Sequence, residues 1–173
     1  MLNISHTTLL PADFAGHSRV WIYQADRPFT PQEARQIETM LGAFTRDWKT
    51  HGTPVRAYGA LFYGQFIVLM ADETAAGVSG CSTDSSVHLI KQIEQHTGAG
   101  LFDRLNLAFY IDDKVQLVPL AHLPKQIESG LIHADTLYFN NTVQTKEELE
   151  VSWLIFLKDS WLGKKYLHAQ TAP

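Results

Sequence analysis

Residues 55–71, VRAYGALFYGQFIVLMA, predict the centre of the fold. Two apolar stretches, Val55 to Tyr63 and Gln65 to Ala71, meet at Gly64, and a glycine between two such stretches favours a tight antiparallel hairpin. The longest unbroken apolar run of the chain, Phe66 to Ala71, is far shorter than the roughly 18 residues that a membrane-spanning helix needs. We therefore expect a buried hairpin and no membrane span.

The residues before this hairpin predict a strand followed by a helix. Val20 to Tyr23 form a β-branched and aromatic run that suits a buried strand. Thr30 can cap a helix, Pro31 fits its first position, and Glu33 can complete a capping box. Apolar residues then recur at steps of three and four, which predicts one buried helix face. They are Ala34, Ile37, Leu41, Phe44 and Trp48.

The residues after the hairpin predict a second helix and a second hairpin. The helix runs from about Thr83 to Thr97, and the second hairpin joins Leu105 to Ile111 with Val115 to Leu120. The resulting order, βαββαββ, is that of a split βαβ sheet with one strand more. The predicted class is α+β, with a ferredoxin-like βαββαβ sheet, an added strand and a smaller C-terminal αβ extension.

The chain of 173 residues is long enough for one domain with a substantial core. We expect an irregular N-terminal arm at residues 1–18, a single α+β domain at residues 19–167 and a frayed tail at residues 168–173. Within the domain, a C-terminal subregion from about residue 121 to 167 is expected to contain a short helix, a strand and a further helix.

Composition and charge exclude several classes of protein. Hydrophobic residues make up 45% of the chain and charged residues 18%, which is typical of globular proteins. A net charge of -4 supplies no basic footprint, so no nucleic-acid partner is expected. The single cysteine, Cys81, cannot form an internal disulfide, which favours a cytoplasmic location. The eight histidines show no metal-binding spacing, so no metal and no cofactor are expected.

Five blocks of sequence resemble an uncharacterised bacterial family whose members often carry the label ABC transporter ATPase. The blocks lie at residues 20–24, 67–74, 80–87, 139–141 and 158–161, where the chain has VWIYQ, IVLMADET, GCSTDSSV, FNN and KDSW. The resemblance covers most of residues 19–161. It implies a shared fold and supplies no catalytic residues.

The family label implies ATP hydrolysis, which requires a glycine-rich P-loop that ends in Gly-Lys followed by Ser or Thr. The chain's Gly-Lys pair, Gly163-Lys164, is followed by Lys165. The run from Ile67 to Glu73 resembles a Walker B strand, but an apolar strand that ends in two acids is also common in protein cores. We therefore expect no P-loop ATPase activity.

Cys81 stands just before the predicted second helix, where the helix dipole and backbone N–H groups favour a thiolate. Asp84 and His88 lie four residues apart and would supply an orienting acid and a base to a catalytic Cys81. At about 100° per residue they fall opposite the predicted inward face of the helix, which predicts an ordinary exposed pair. Cys81 is thus either a small structural cysteine or a nucleophile.

The loop before that helix also has the composition of a binding site for a small anion or carboxylate, because it combines hydroxyls, flexible backbone and a helix N-terminus. Plain helix capping is the alternative, since Ser and Thr are preferred caps in any protein. The candidate ligand-binding residues are Asp72, Ser79, Gly80, Ser82 and Thr83.

A partial resemblance to GYF-like modules covers residues 109 to about 153. It is carried by Phe109-Tyr110, Gln116 to Pro119, Leu123, Gly130, Ile132, Asp135-Thr136-Leu137 and Trp153. The better-known modules of this kind bind proline-rich peptides through aromatic side chains. The Gly-Pro-aromatic core of their motif is absent, because Val118 precedes Pro119 and Leu120 follows it. The resemblance implies a peptide groove, and the alternative is that its aromatic residues belong to the core. The groove candidates are Phe109, Tyr110, Tyr138 and Trp153.

These features together predict a non-catalytic domain that binds a small ligand or a protein partner, with residues 72–84 as the contact region. The alternative is a thiol-dependent enzyme in which Cys81 attacks a substrate and His88 moves protons. An open edge or face of the predicted sheet also allows a homodimer, although no particular residue requires one.

Overall fold

The computed structural model describes residues 6–74 and 80–167, with the backbone alone for residues 80–82. The described residues form helices and antiparallel sheets, so the predicted α+β class is confirmed. Two compact units are present. One runs up to Phe102 and includes Gln144–Glu150, and the other comprises Asp103–Val143 and the chain from Val151 onward.

The strands and α-helices follow one another along the chain with short connections. As far as Phe102 they are β1 (Arg19–Gln24), α1 (Pro31–Asp47), β2 (Lys49–Thr50), β3 (Thr53–Pro54), β4 (Arg56–Phe62), β5 (Phe66–Asp72) and α2 (Gly80–Thr97). Beyond it they are β6 (Asn106–Ile111), β7 (Lys114–Pro119), α3 (Leu123–Glu128), β8 (Leu137–Phe139), α4 (Lys146–Ser152), β9 (Leu154–Phe156) and α5 (Trp161–Tyr166). Short 3-10 helices lie at His6–Leu9, Leu120–His122 and Leu157–Asp159.

The main sheet of the first unit has the strand order β1-β5-β4 and is antiparallel throughout. The predicted hairpin is confirmed, because Phe62 pairs with Phe66 and the register continues to Arg56 opposite Asp72. Tyr63 and Gly64 turn the chain with φ angles of 50° and 63°. Every residue of the central strand β5 is buried, as the unbroken apolar run from Phe66 to Ala71 predicts for all but the last of them, Asp72.

Helices α1 and α2 complete the core of the first unit. The predicted capping box begins α1, since the Thr30 side chain accepts from the Glu33 N–H and the Glu33 carboxylate accepts from the Thr30 N–H. Ile37 and Leu41 on α1 are fully buried, as are Ile90 and Ile93 on α2. These helical side chains pack with Ile67 and Leu69 of β5 in one cluster.

The ferredoxin-like topology is not confirmed. The sequence predicts Leu105 to Ile111 as a further strand of the main sheet, but the corresponding strand β6 lies in a second sheet with the order β7-β6-β8-β9. The physical reason is that both edges of β6 are occupied, by β7 on one side and β8 on the other. The outer edge of β1 is met instead by the segment at 144–145, where the Val20 N–H donates to the Gln144 carbonyl at 2.8 Å.

The hairpin of the second sheet turns through Asp112 and Asp113, which both adopt positive φ, at 51° and 60°. This left-handed pair directly connects Ile111 to Lys114 and gives the two-residue turn that matches the twist of a hairpin.

The second unit starts at Asp103 and contains this hairpin, whereas the sequence predicts a C-terminal subregion from about residue 121. Its apolar core combines the sheet with α3 and α5, and includes Phe109, Leu123, Ile127, Tyr138, Leu157 and Leu162.

Two local predictions are wrong by a few residues. Helix α2 begins at Gly80, three residues before the predicted start at Thr83. For residues 159–161 the sequence predicts a final turn, whereas the structure has a 3-10 helix followed by α5, whose cap, Ser160, accepts from the Gly163 N–H at 3.1 Å. Across residues 6–74 and 80–167, no helix has both the length and the apolar content that crossing a bilayer requires.

Candidate functional site

A groove of about 800 Å³ opens on the helical side of the first unit, between the C-terminal half of α1 and α2. Four of its lining residues belong to α1, two follow that helix directly, and five belong to α2. They are Met40, Ala43, Phe44 and Asp47, then Trp48 and Lys49, then Asp84, Ser85, His88, Leu89 and Gln92. Its volume falls within the range of small-molecule sites, about 300 to 1,000 Å³.

The base of the groove is aromatic. Trp48 ends α1 in an extended conformation, and its side chain is buried. The ring of Phe44, one turn earlier, lies 4.9 Å from the Trp48 ring between centroids, and Trp21 of β1 lies 5.7 Å from Trp48 on the other side. We call these three side chains the aromatic cluster. Because Trp48 is fixed within this cluster, the apolar base of the groove is held in place by the packing of the core.

The rim of the groove is polar and exposed. Asp47 comes from the last turn of α1, Lys49 from β2, and Asp84 and His88 from α2. The His88 Nε2 lies 3.2 Å from the Gln92 amide nitrogen one turn further along α2. The groove therefore offers an apolar surface below and charged or hydrogen-bonding groups at its mouth, the arrangement that orients a small ligand.

Of the predicted catalytic set, Asp84 and His88 meet at this groove, and both side chains are exposed. Cys81 lies within the first turn of α2, because that helix begins at Gly80, and its side chain lies outside the described part of the protein. The roles of these three residues in catalysis stay predictions. Asp84 and His88 have a second possible use, as part of the wall of a binding site.

The predicted ligand-binding residues are only partly described. Ser79 lies outside the described residues, and the structure gives backbone alone for Gly80 and Ser82. Thr83 is half-buried inside α2, where its carbonyl accepts from the Ser86 hydroxyl at 2.7 Å. Because the helix starts three residues earlier, Thr83 does not take the capping position that the sequence suggested.

Asp72, the first of those candidates, is buried at the end of β5 and bound within the protein. One carboxylate oxygen accepts from the backbone N–H and the hydroxyl of Thr74, and the other lies 3.2 Å from the Arg56 guanidinium. These hydrogen bonds, above all those from Thr74, hold the pKa of the Asp72 carboxyl below its usual range. A carboxylate with partners of this kind organises the strand end rather than waiting for a ligand.

A smaller cavity of about 410 Å³ adjoins Asp72. Arg56 crosses it, donates to Asp13 as well as Asp72, and stacks its guanidinium 4.8 Å from the centre of the Phe14 ring. Both carboxylates of this cavity are therefore bound directly by Arg56. We assign these contacts a structural role, because they hold the N-terminal segment, residues 6–18, against the ends of β4 and β5.

The predicted peptide-groove aromatics lie mainly in the core of the second unit. Phe109 and Trp153 are 0% exposed and Tyr138 is 3% exposed, whereas Tyr110 is half-buried. The Phe109 and Tyr138 rings contact each other at 5.5 Å, and the Trp153 N–H donates to Asn141 at 2.9 Å. A fully buried ring has no face to offer a proline-rich peptide, so the core interpretation accounts for these three residues.

Sequence reasoning missed most of the α1 wall as a site. The helical periodicity correctly places Phe44 and Trp48 on the inward face of α1, but it gives no sign that they border an open groove. Met40, Ala43 and Asp47 carry no motif. The signal that would have helped is the excess of large aromatic side chains at the end of α1, beyond what a helix of that length needs for its core.

Comparisons with protein-family models, with curated proteins and with solved structures found no match. Within the described residues, no three His, Cys, Asp or Glu side chains come together as a metal site requires.

Proposed function

We propose that this protein is a non-catalytic binding domain and that the groove between α1 and α2 holds a small organic ligand. The observation that carries the proposal is the combination of volume and lining, about 800 Å³ with an aromatic base and an ionisable rim. An exposed recess of this kind exposes apolar surface to water at a cost in free energy, which a ligand recovers by covering that surface.

The geometry around His88 supports binding over catalysis. A catalytic base needs a partner that holds its ring in a fixed orientation. The described neighbour of the His88 ring is the amide of Gln92, an exposed side chain on the same helix. The thiol-dependent alternative, with Cys81 as nucleophile, is the competing proposal, and a single substitution separates the two, as described in the Discussion.

Several finer expectations belong to the same proposal. A ferredoxin-like relationship is supported by the βαββα order of the first unit and by the position of β5 between β1 and β4. Kinship with the bacterial family labelled ABC transporter ATPase rests on the five sequence blocks, and a cytoplasmic location rests on the single Cys81. A homodimer through an open edge of the main sheet is compatible with β4 as a terminal strand.

The proposal is tested by a fragment screen on the ¹⁵N-labelled protein, with amide chemical shifts as the readout. We expect binders whose shift changes concentrate on residues 40–49 and 84–92. Ala43→Trp should abolish these changes, because Ala43 is exposed on the groove wall and a large ring there fills the space. Glu38→Trp is the matched control, since Glu38 is exposed on the same helix and does not line the groove.

Two results would overturn the proposal. One is a screen in which no fragment shifts the groove resonances. The other is a set of binders that the Ala43→Trp protein retains with unchanged affinity, which would place binding elsewhere. Thermal melts of both variants show that each is folded before its binding is judged.

A further inference from the structure

We infer that the ligand of the groove is a small organic cation with apolar substituents. The inference rests on the proposed function and adds the chemical class of the ligand. Three features of the groove point to it: the balance of charge at the rim, the aromatic base, and the end of α1 that borders the site.

The rim carries more negative than positive charge. Asp47 on the α1 wall and Asp84 on the α2 wall supply two carboxylates, and Lys49 supplies one ammonium group. Apart from the histidine, the charges of the described lining residues sum to minus one. An anion would have to approach both carboxylates, whereas a cation between the walls is attracted to each of them.

The aromatic cluster already accepts a cation at its far end. The Arg19 guanidinium lies over the Trp21 ring, 5.1 Å from its centroid, and Trp21 contacts Trp48 and through it Phe44. Phe44, another member of the same cluster, lines the groove. Because the faces of aromatic rings attract ammonium and guanidinium groups, an aromatic side chain in the lining favours a positively charged ligand.

The C-terminal end of α1 adds to this preference. Phe44 and Asp47 lie in the last turn of α1, where the unpaired carbonyls carry the partial negative charge of the helix dipole. On α2, the described residues that line the groove include Asp84, whose carboxylate adds to the negative charge. A purely apolar ligand would cover the base but would desolvate the two carboxylates without compensation.

The test uses three probes that share a para-hydroxyphenyl group and differ in charge. They are 4-hydroxyphenyltrimethylammonium, 4-tert-butylphenol and 4-hydroxybenzenesulfonate, which are a cation, its neutral isostere and an anion. Dissociation constants are measured from ¹⁵N-HSQC titrations near pH 7.5 at low salt. We expect the cation to bind in the groove about tenfold more tightly than its neutral isostere, and the anion to bind most weakly.

Single charge removals then locate the effect. Asp47→Asn and Asp84→Asn should each raise the dissociation constant of the cation by about threefold. Neither substitution should change the dissociation constant of 4-tert-butylphenol. Glu38→Gln is the matched control, because it removes a carboxylate from the exposed side of α1 away from the groove, and it should change neither probe. Added salt should lower the affinity of the cation more than that of the neutral probe.

The outcomes separate this inference from the function on which it rests. Equal or tighter binding of the neutral or anionic probe in the groove would overturn the choice of a cation and would leave small-ligand binding in place. The choice of a cation would also be overturned if neither Asp substitution changed the affinity of the cationic probe. Both proposals would be overturned if the fragment screen gave no groove binder and none of the three probes changed the chemical shifts of the groove amides.

Discussion

Arg56 and Asp72 face each other as the last pair of the β4-β5 ladder, with 3.2 Å between a guanidinium nitrogen and a carboxylate oxygen. The same guanidinium donates to Asp13 and stacks on Phe14, so one cation joins the N-terminal segment to the end of the sheet. Asp72 itself is 5% exposed, which places an ionised carboxylate in a nearly dry position.

This pair predicts a specific acid sensitivity. The pKa of Asp72 is lowered by folding, mainly through the Thr74 hydrogen bonds, so its stabilising contribution is present above the unfolded value near 3.8 and is lost as the pH falls through the lower folded value. Asp72→Asn should lower the free energy of unfolding at neutral pH by about 1–3 kcal/mol. Urea unfolding between pH 2.5 and pH 7, with linear extrapolation of the free energy of unfolding to water, checks this.

The variant should also lose part of the pH dependence, because its amide does not titrate. Glu38→Gln, on the exposed side of α1, is the control for removal of a carboxylate. If Asp72→Asn unfolds at the same urea concentration as the parent protein across this range, the Asp72 network contributes no stability.

Glu33 predicts a second, more local titration. The Arg27 guanidinium donates to both Glu33 oxygens at 2.9 Å, and this pair together with the Thr30 N–H lowers the pKa of Glu33 to about 2. Arg27→Met should raise that pKa toward its ordinary value of 4.5. Carboxyl ¹³C NMR titration measures both proteins, and a parent midpoint near the ordinary value would show that the ion pair does not form in solution.

Tyr138 predicts a phenol that resists ionisation. Burial raises its pKa to about 12, and the hydrogen bond with Trp161 opposes this rise, because an indole N–H stabilises the phenolate. Trp161→Phe should therefore raise the pKa further. Ultraviolet titration of the tyrosines, with Tyr138→Phe to assign the late transition, tests the effect. A Tyr138 transition near pH 10 would contradict the buried position.

The close packing around Gly163 leads us to expect that a single added methyl group strongly lowers the free energy of unfolding. A Cβ built at Gly163 would lie 2.1 Å from the Leu157 carbonyl oxygen, closer than any real contact, so Gly163→Ala must shift backbone and should destabilise by about 3 kcal/mol or more. Gly42→Ala is a control of opposite sign. Gly42 lies in α1 with nothing within 4 Å of its added methyl, and the change should stabilise by roughly 0.5–1 kcal/mol. Thermal unfolding of both variants compares them directly.

Cys81→Ser separates the binding domain from the thiol-dependent enzyme. We expect the affinity of groove ligands to remain within about twofold, because the proposed contacts come from the described lining residues, between Met40 and Lys49 and between Asp84 and Gln92, and these include no thiol. Titration of a groove fragment from the screen into both proteins gives the comparison. A covalent adduct formed on Cys81 at neutral pH with loss of turnover in Cys81→Ser would favour the enzyme instead.

The parts of the fold that the sequence predicts well are those fixed by neighbouring residues. The capping box of Thr30 and Glu33 and the hairpin at Gly64 both depend on contacts within a few positions. The assignment of β6 failed because the sequence from Leu105 to Ile111 fits the centre of either sheet equally well. Which sheet takes it is decided by the segment at 144–145 and by β8, both distant in sequence.

The candidate site shows the same division. Periodicity identifies the inward face of α1, including Phe44 and Trp48, and the i, i+4 pair Asp84 and His88 on α2. That these two sets form the walls of one groove depends on how α1 and α2 diverge over the sheet, which no local pattern contains. The sequence also suggests a peptide groove at Phe109, Tyr138 and Trp153, whereas the structure buries all three side chains. Sequence alone does not separate these alternatives, because aromatic residues that suit a peptide groove also suit a core.

The return of Gln144–Glu150 to the first unit bears on how this protein is made. Val20 donates to Gln144, Lys146 donates to Ser18, and His6 contacts the Leu149 carbonyl at 2.7 Å. During synthesis these partners emerge from the ribosome more than a hundred residues after the segments that they join. The outer edge of β1 can therefore be covered only after residue 144 has been synthesised, so completion of the first unit cannot keep pace with the appearance of its own N-terminal half.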